Sequence, residues 1–234
     1  MEATLKRAIE RHKANDFACA KSLYEEVLRD DSEQPHTWYL LGMAQRASED
    51  LVHAETSLLR AIELEENKAE YWCALGDVRY LKGNGESAVE AYRRAVDINI
   101  SYVDAYAQLG RLSFSNNHLN VAARYLLKAC ILDSRNPARH LEYGVVLYSM
   151  GHLDEAENAF REALDLNNHN PEPHYWLSFV FAKQGKTDWS DSAFQSCLTL
   201  LPAHTDLAEK IVLDLEKRGE LNRAKAVRAI FESK

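Results

Sequence analysis

Apolar and small residues recur along this chain with a fixed spacing of 34 residues. Between residues 36 and 67, an aromatic residue, a leucine and a glycine stand close together, and alanine, leucine and alanine follow downstream. The pattern returns three more times without insertion or deletion. Its positions are Trp38, Leu41, Gly42, Ala54, Leu58 and Ala61; Trp72, Leu75, Gly76, Ala88, Tyr92 and Ala95; Tyr106, Leu109, Gly110, Ala122, Leu126 and Ala129; and His140, Tyr143, Gly144, Ala156, Phe160 and Ala163. A fixed period of this length is typical of repeat proteins.

Each copy of the pattern predicts two helices joined by a tight turn. The recurring glycine falls in the middle of the first helix, where glycine is less favourable than alanine by about 0.5–1 kcal/mol. Because this cost recurs at the same place, we expect it to be offset by close approach of the second helix. Turn-forming residues stand between the two helices, at Gly83, Asn117, Gly151, Gly185 and Gly219. Glycine and asparagine tolerate the left-handed backbone that such turns require.

This combination resembles the tetratricopeptide repeat family, in which an aromatic residue and Leu-Gly are followed by alanine and a large apolar residue on a second helix. The resemblance covers all 234 residues. It implies an all-α fold, a right-handed α–α superhelical solenoid of about seven helix-turn-helix repeats with a concave inner face. It also implies one array with repeats at 1–34, 35–68, 69–102, 103–136, 137–170, 171–204 and 205–234, the first and last acting as caps.

Charge and composition narrow the possible functions. The net charge is −8 and no basic stripe recurs, so we expect no nucleic acid partner, because such binding depends mainly on Lys and Arg. No apolar run approaches the roughly 18–20 residues of a membrane span, and no secretory signal is visible. The four cysteines are scattered over four repeats without a Cys-x-x-Cys pair. They indicate a reducing compartment, and we expect a cytoplasmic protein.

The sequence offers no motif for catalysis or for a cofactor. Gly83 and Gly85 belong to a helix–helix turn rather than to a phosphate-binding loop. His169 and His174 are the best candidate pair of metal ligands, but two prolines lie between them and no cysteine lies nearby in sequence. Serines and carboxylates show no recurring nucleophile–base arrangement. We therefore expect no enzyme activity, no metal and no cofactor.

In the tetratricopeptide repeat family, the concave surface is lined mainly by positions 2, 5, 6, 9, 12 and 13 of each first helix. Carried over to this chain, those positions form a lining that is mostly apolar and aromatic. The candidate ligand-binding residues are Tyr39, Met43, Arg46, Asp77, Tyr80, Arg111, Phe114, Leu141, Val145, Tyr148, Tyr175, Trp176 and Phe179. Exposed apolar patches rimmed by charge mark interaction sites, and Tyr and Trp are frequent in interface hot spots. The alternative is that neighbouring helices cover several of these side chains.

An aromatic cluster in the sixth repeat is the sharpest local departure from the pattern. Tyr175 and Phe179 lie four residues apart, on one face of the expected helix, and Trp176 lies about 100° around from Tyr175. Other repeats have Leu, Ala, Gln, Glu or Lys where Trp176 stands, so the repeat's own packing does not require tryptophan. We expect Trp176 to contact a partner in the groove; the alternative is that it belongs to the core.

Two well-known uses of the family do not match these residues. The carboxylate clamp for acidic chaperone C-termini needs Lys at position 5 and Asn at position 9 of one repeat, and neither occurs at its position in any repeat of this chain. The asparagine ladder of O-linked N-acetylglucosamine transferase needs Asn at position 6, which is also absent.

The expected function is therefore protein–protein interaction, as an adaptor or chaperone-like scaffold that binds an apolar peptide or amphipathic helix in its concave groove. The partner is a protein or peptide. One alternative is a self-assembling structural scaffold, which would make the chain a homo-oligomer. Another is the targeting or regulatory arm of a larger enzyme.

Overall fold

The structure, a computed structural model, describes residues 2–232, with side chains described up to residue 230. Met1, Ser233 and Lys234 lie outside the described residues, and so do the outer ends of the predicted first and last repeats. The all-α fold is confirmed, because residues 2–232 form fourteen α-helices and one short 3-10 helix.

Two helices fall within each predicted repeat, the odd-numbered helix first. The α-helices are α1 Glu2–Lys13, α2 Phe17–Asp30, α3 Pro35–Ala47, α4 Leu51–Leu64, α5 Ala69–Leu81, α6 Gly85–Ile98, α7 Val103–Ser115, α8 Leu119–Leu132, α9 Pro137–Met150, α10 Leu153–Leu166, α11 Pro171–Lys183, α12 Thr187–Leu200, α13 Thr205–Lys217 and α14 Leu221–Glu232. The 3-10 helix is Leu201–Ala203.

Contacts divide the chain into two compact units, which are described separately. The N-terminal unit, Met1–Asn116, contains α1 to α7, and the C-terminal unit, Asn117–Lys234, contains α8 to α14. In the N-terminal unit each helix packs on the next one in the chain. In the C-terminal unit the same holds from α8 to α12 and for α13 with α14, while the 3-10 helix contacts both α12 and α13. The single array over 1–234 stays a prediction.

The mid-helix glycines lie against the second helix of their own repeat, as expected. A Cβ atom on Gly76 would lie 2.5 Å from Cε1 of Tyr92, and one on Gly144 would lie 2.7 Å from Cε1 of Phe160. Both rings are fully buried or nearly so. The glycines therefore make room for the largest side chain of the second helix, and this contact is what offsets their cost in the helix.

The turn between the two helices of a repeat needs a left-handed residue. Gly151 closes α9 with φ of 83°, and its backbone N–H donates to a carbonyl of the last turn of that helix. Asn117, the predicted non-glycine turn residue, has φ of 59°. The predicted turn chemistry is confirmed at both residues.

Ion pairs between neighbouring repeats add to the apolar contacts. In the N-terminal unit, Glu55 of α4 accepts from Lys82 Nζ at 2.5 Å and from Arg79 Nε at 3.0 Å. The hydrogen bond from Lys82 is the main reason why the pKa of Glu55 lies below its ordinary value of 4.5, and the Arg79 hydrogen bond acts in the same direction. The ionised carboxylate therefore favours the folded chain.

We expect Glu55→Gln to destabilise the chain at neutral pH, and this difference from the wild type to vanish in acid. Because the folded-state pKa of Glu55 is depressed, its contribution is present above the ordinary glutamate pKa and is lost as the pH falls through the folded-state value. Chemical unfolding of both proteins at pH 7 and at about pH 3 checks this. A difference in unfolding free energy that stays constant with pH would contradict it.

Candidate functional site

Consecutive first helices of the N-terminal unit share one surface, the first-helix face, formed by α3, α5 and α7. The rings of Tyr39 in α3 and Tyr71 in α5 stack with centroids 5.0 Å apart. Arg46 Nη1 of α3 donates to Asp77 Oδ2 of α5 at 2.5 Å. Gln108 Nε2 of α7 donates to Asp77 Oδ1 at 3.2 Å. Arg46 and Asp77, two of the predicted lining residues, are therefore in direct contact across neighbouring first helices.

Asp77 is the centre of a polar network on the first-helix face. Besides the donors from Arg46 and Gln108, its Oδ1 accepts the hydroxyl of Tyr92 at 2.8 Å. Burial raises the pKa of Tyr92, and the neighbouring Asp77 carboxylate raises it further, so the hydroxyl remains a donor. A carboxylate with three donors is already well satisfied. Arg46 and Asp77 therefore hold the helices together more than they offer groups to a ligand.

The accessible apolar part of this face lies at the C-terminal ends of α5 and α7. Tyr80 and Leu81 are 52% and 57% exposed, which is high for large apolar side chains. Phe114 has the repeat position of Tyr80 on the next first helix and is half-buried, and Arg111, one turn earlier on α7, is exposed. Arg111 Nη1 donates to Gln108 Oε1 at 3.2 Å. We call Tyr80, Leu81, Arg111 and Phe114 the Tyr80 patch.

The other predicted lining residues of the N-terminal unit are less accessible. Tyr39 is half-buried between the ring of Tyr71 and that of His36, whose centroid is 5.7 Å away. Met43 is half-buried against the hydrophobic cluster that contains Leu75. Both are less exposed than Tyr80 and Leu81, so the Tyr80 patch is the most accessible apolar part of the predicted lining in this unit.

In the C-terminal unit, the structure places most of the predicted lining in the core. The buried residues are Leu141, Tyr148, Tyr175 and Phe179, all between 2% and 8% exposed and all in one hydrophobic cluster. Val145 and Trp176 are half-buried against the same cluster. In this unit the side chains therefore follow the alternative given in the sequence analysis, in which neighbouring helices cover the predicted lining.

The covering helix is α13, together with the residue that follows it. The hydroxyl of Tyr175 donates to Asp214 Oδ2 at 2.5 Å, and Arg218 Nε donates to the same oxygen at 2.7 Å. The Arg218 guanidinium lies 4.7 Å from the centroid of the Phe179 ring and 5.2 Å from that of Trp176. Burial, reinforced by the hydrogen bond to Asp214, raises the pKa of Tyr175. The sequence prediction missed this cover because it took the last repeat as a solvated cap.

Trp176 packs among aromatic rings of its own unit. Its ring centroid lies 5.5 Å from that of Tyr175, 5.6 Å from Tyr148 and 6.4 Å from Phe160. These three neighbours belong to the core cluster. The structure therefore favours a packing role for Trp176 over direct contact with a partner.

The described residues contain no group of three or more His, Cys, Asp or Glu placed to hold a metal ion. Burial raises the pKa of Cys130 and of Cys197 to about 12 each, so neither is a thiolate nucleophile at neutral pH. Within the part of the chain that is described, the helices are all too short or too polar to cross a bilayer.

Comparison with known families extends the resemblance. Residues 5–68 match the family described as tetratricopeptide repeat. Residues 69–229, more than half of the chain, match the family described as cilia and flagella-associated protein 70 C-terminal domain. No sequence among the curated proteins matches this chain.

Solved structures agree on the fold. The PilF protein of Pseudomonas aeruginosa is 16% identical, with a TM-score of 0.75 over 89% of this chain and 95% of that one. The C-terminal part of a tetratricopeptide repeat-containing protein from Cytophaga hutchinsonii is 17% identical, with a TM-score of 0.74 over 97% of this chain and 93% of that one. YrrB, described as having an unusual peptide-binding site, is 18% identical, with a TM-score of 0.68 over 83% and 97%.

The helix pairs, the glycine contacts and the matched structures all indicate the same solenoid type of fold. Tetratricopeptide repeat domains generally mediate protein–protein interactions and act as scaffolds without catalytic function. This chain is a tetratricopeptide repeat protein and belongs to the family of the cilia and flagella-associated protein 70 C-terminal domain.

Proposed function

We propose that this chain is a protein-binding adaptor of the cilium or flagellum, and that its Tyr80 patch captures an apolar peptide or the apolar side of an amphipathic helix. The observation that carries the proposal is the exposure of Tyr80 and Leu81 on a face that is otherwise held by packing and ion pairs. Apolar patches rimmed by charge mark interaction sites, and Arg111 supplies the charge at this rim.

The family description supports the cellular setting, because it names a cilia and flagella-associated protein. The description of YrrB supports peptide capture as a use of this fold, since it names a peptide-binding site on a tetratricopeptide repeat protein. The cytoplasm outside the cilium is the alternative location.

The fixed backbone under the patch favours binding. Asp77 ties α5 to α3 through Arg46 and to α7 through Gln108, so the helices that present Tyr80 and Phe114 are held in place before a partner arrives. A surface that is already ordered loses less conformational freedom on association. The rings of Tyr80 and Phe114 supply apolar contact area for a peptide.

We expect the double variant Tyr80→Ser, Leu81→Ser to lose its partner while keeping its fold. Removing two hot-spot side chains is expected to weaken binding by about 2 kcal/mol or more, roughly 30-fold in Kd. Because both side chains are largely exposed, the melting temperature should change little. The measurement compares proteins captured from ciliary or flagellar extract by wild type and variant, followed by titration of the purified partner.

The matched control is Val52→Ser, which changes an apolar residue that is 65% exposed on the second helix α4. We expect this variant to bind as the wild type does. A partner that binds the double variant and the wild type equally would exclude the Tyr80 patch as its site.

A further inference from the structure

A second apolar surface lies in the C-terminal unit, on its last helix pair. A groove of about 670 Å³, the α13–α14 groove, is lined by residues that include Glu209, Val212, Leu213 and Arg228. Leu213 is 54% exposed. Arg228 Nη2 donates to Glu216 Oε1 at 2.5 Å and joins α14 to α13 beside the groove.

The corresponding surface of the preceding helix pair is covered. Tyr175 and Phe179 of α11 stand 34 residues before Glu209 and Leu213, so they hold the same positions in their repeat. Yet Tyr175 and Phe179 are only 2% and 7% exposed. The difference is α13 and the residue that follows it: Asp214 accepts the hydroxyl of Tyr175, and the Arg218 guanidinium lies over the Phe179 ring. Within this unit, a groove of this kind therefore takes an amphipathic helix.

The helix that fills the covered groove has a recognisable stripe. In α13, Leu207, Ile211 and Leu215 follow one another at a spacing of four residues, which places them on one side of the helix. Ile211 and Leu215 are buried in the core cluster, and Leu207 packs against it. An occupant of the α13–α14 groove needs a stripe of the same kind, because the groove offers apolar side chains to it.

A second copy of this chain does not supply such a helix through its first one. Position 7 of the first helix is a buried apolar residue in five repeats, at Leu41, Leu75, Leu109, Leu177 and Ile211. In α1 this position is Arg7, which is exposed. The apolar side of α1 is also already in use, because Ala8 is buried in the hydrophobic cluster of its own unit and Leu5 and Ile9 pack against that cluster.

The charge beside the groove sets the chemistry of the occupant. Of the charged residues that line the groove, Glu216 is already paired with Arg228, which leaves the Glu209 carboxylate for an occupant. Glu209 lines the groove, is exposed, and has no ion-pair partner among residues 2–230. We propose that the α13–α14 groove binds a basic amphipathic helix of a partner protein, with an apolar stripe against Leu213 and Val212 and a lysine or arginine beside Glu209.

The test uses a synthetic probe and the full chain. The probe peptide has the sequence of α13 with lysine in place of its four acidic residues, and a control peptide also has serine in place of Leu207, Ile211 and Leu215. Fluorescence anisotropy should show that the wild-type chain binds the probe at least about 10-fold more tightly than the control peptide. Leu213→Asp should weaken probe binding by a similar factor, while Val52→Asp leaves it unchanged.

Reversing the charge at Glu209 distinguishes specific binding from non-specific hydrophobic adsorption of the peptide. Glu209→Lys should weaken binding of the lysine-containing probe and strengthen binding of the unaltered α13 peptide, which is acidic. Equal binding of probe and control peptide, or no response to Glu209→Lys, overturns the proposal. Light scattering measures the oligomeric state. If the wild type is a dimer and Leu213→Asp dissociates it, the occupant is a second copy of this chain, and the proposal of a partner protein is overturned. If Leu213→Asp does not fold, Glu209→Lys decides alone.

Discussion

Replacing Trp176 with alanine is expected to lower the free energy of unfolding by about 3 kcal/mol, the lower end of the range for truncating a large aromatic residue in a core. The ring is half-buried against Tyr148, Phe160 and Tyr175, and the Arg218 guanidinium lies over it. Its loss leaves a space that these neighbours fill only in part. Urea unfolding of wild type and Trp176→Ala measures the effect.

Trp189 provides a matched control for this prediction. It lies in the same unit, but 55% of its side chain is exposed. It contacts Phe181 edge-on, with ring centroids 5.5 Å apart. We expect Trp189→Ala to cost less than about 1 kcal/mol, because little of its surface is withdrawn from water. If Trp176→Ala kept full stability and lost partner binding instead, Trp176 would be a hot spot and the core assignment would be wrong.

Replacing Gly76 with leucine is expected to destabilise the chain by about 3 kcal/mol, the upper end of the usual cost of overpacking. The first carbon of the new side chain alone would lie 2.5 Å from Cε1 of Tyr92. That ring cannot easily move, because it is buried and its hydroxyl is bonded to Asp77. The strain should exceed the gain in helix propensity of about 1 kcal/mol that glycine replacement brings. Thermal unfolding followed by circular dichroism measures the loss.

Gly85, nine residues later, is the control, since a Cβ there would meet nothing within 4 Å. It opens α6, and its φ is not in the left-handed region. We expect Gly85→Leu to leave the melting temperature nearly unchanged. Equal effects of the two substitutions would mean that the contact between Gly76 and Tyr92 is not what destabilises the variant.

Local chemistry accounts for much of what could be predicted. The 34-residue period, the turn residues and the mid-helix glycines depend on contacts that recur between repeats, so the same residue types return at the same spacing in the repeats that cover 35–170. The contact of Gly144 with Phe160 is one such case, and it follows from the alternation of a small and a large residue on paired helices. The family and the all-α fold can therefore be predicted from the sequence alone.

The candidate site depended on contacts between repeats, which the period does not encode. Tyr80 and Tyr148 hold the same repeat position, yet Tyr80 is exposed and Tyr148 is buried, because their neighbours in space differ. Tyr175 and Phe179 have the composition of a binding surface, but α13 covers them through Asp214 and Arg218. The sequence by itself determined the repeat, its helices and its packing positions. Only the tertiary structure decided which of the aromatic side chains remain accessible, since accessibility depends on the identity of side chains in the next repeat and not on spacing within one.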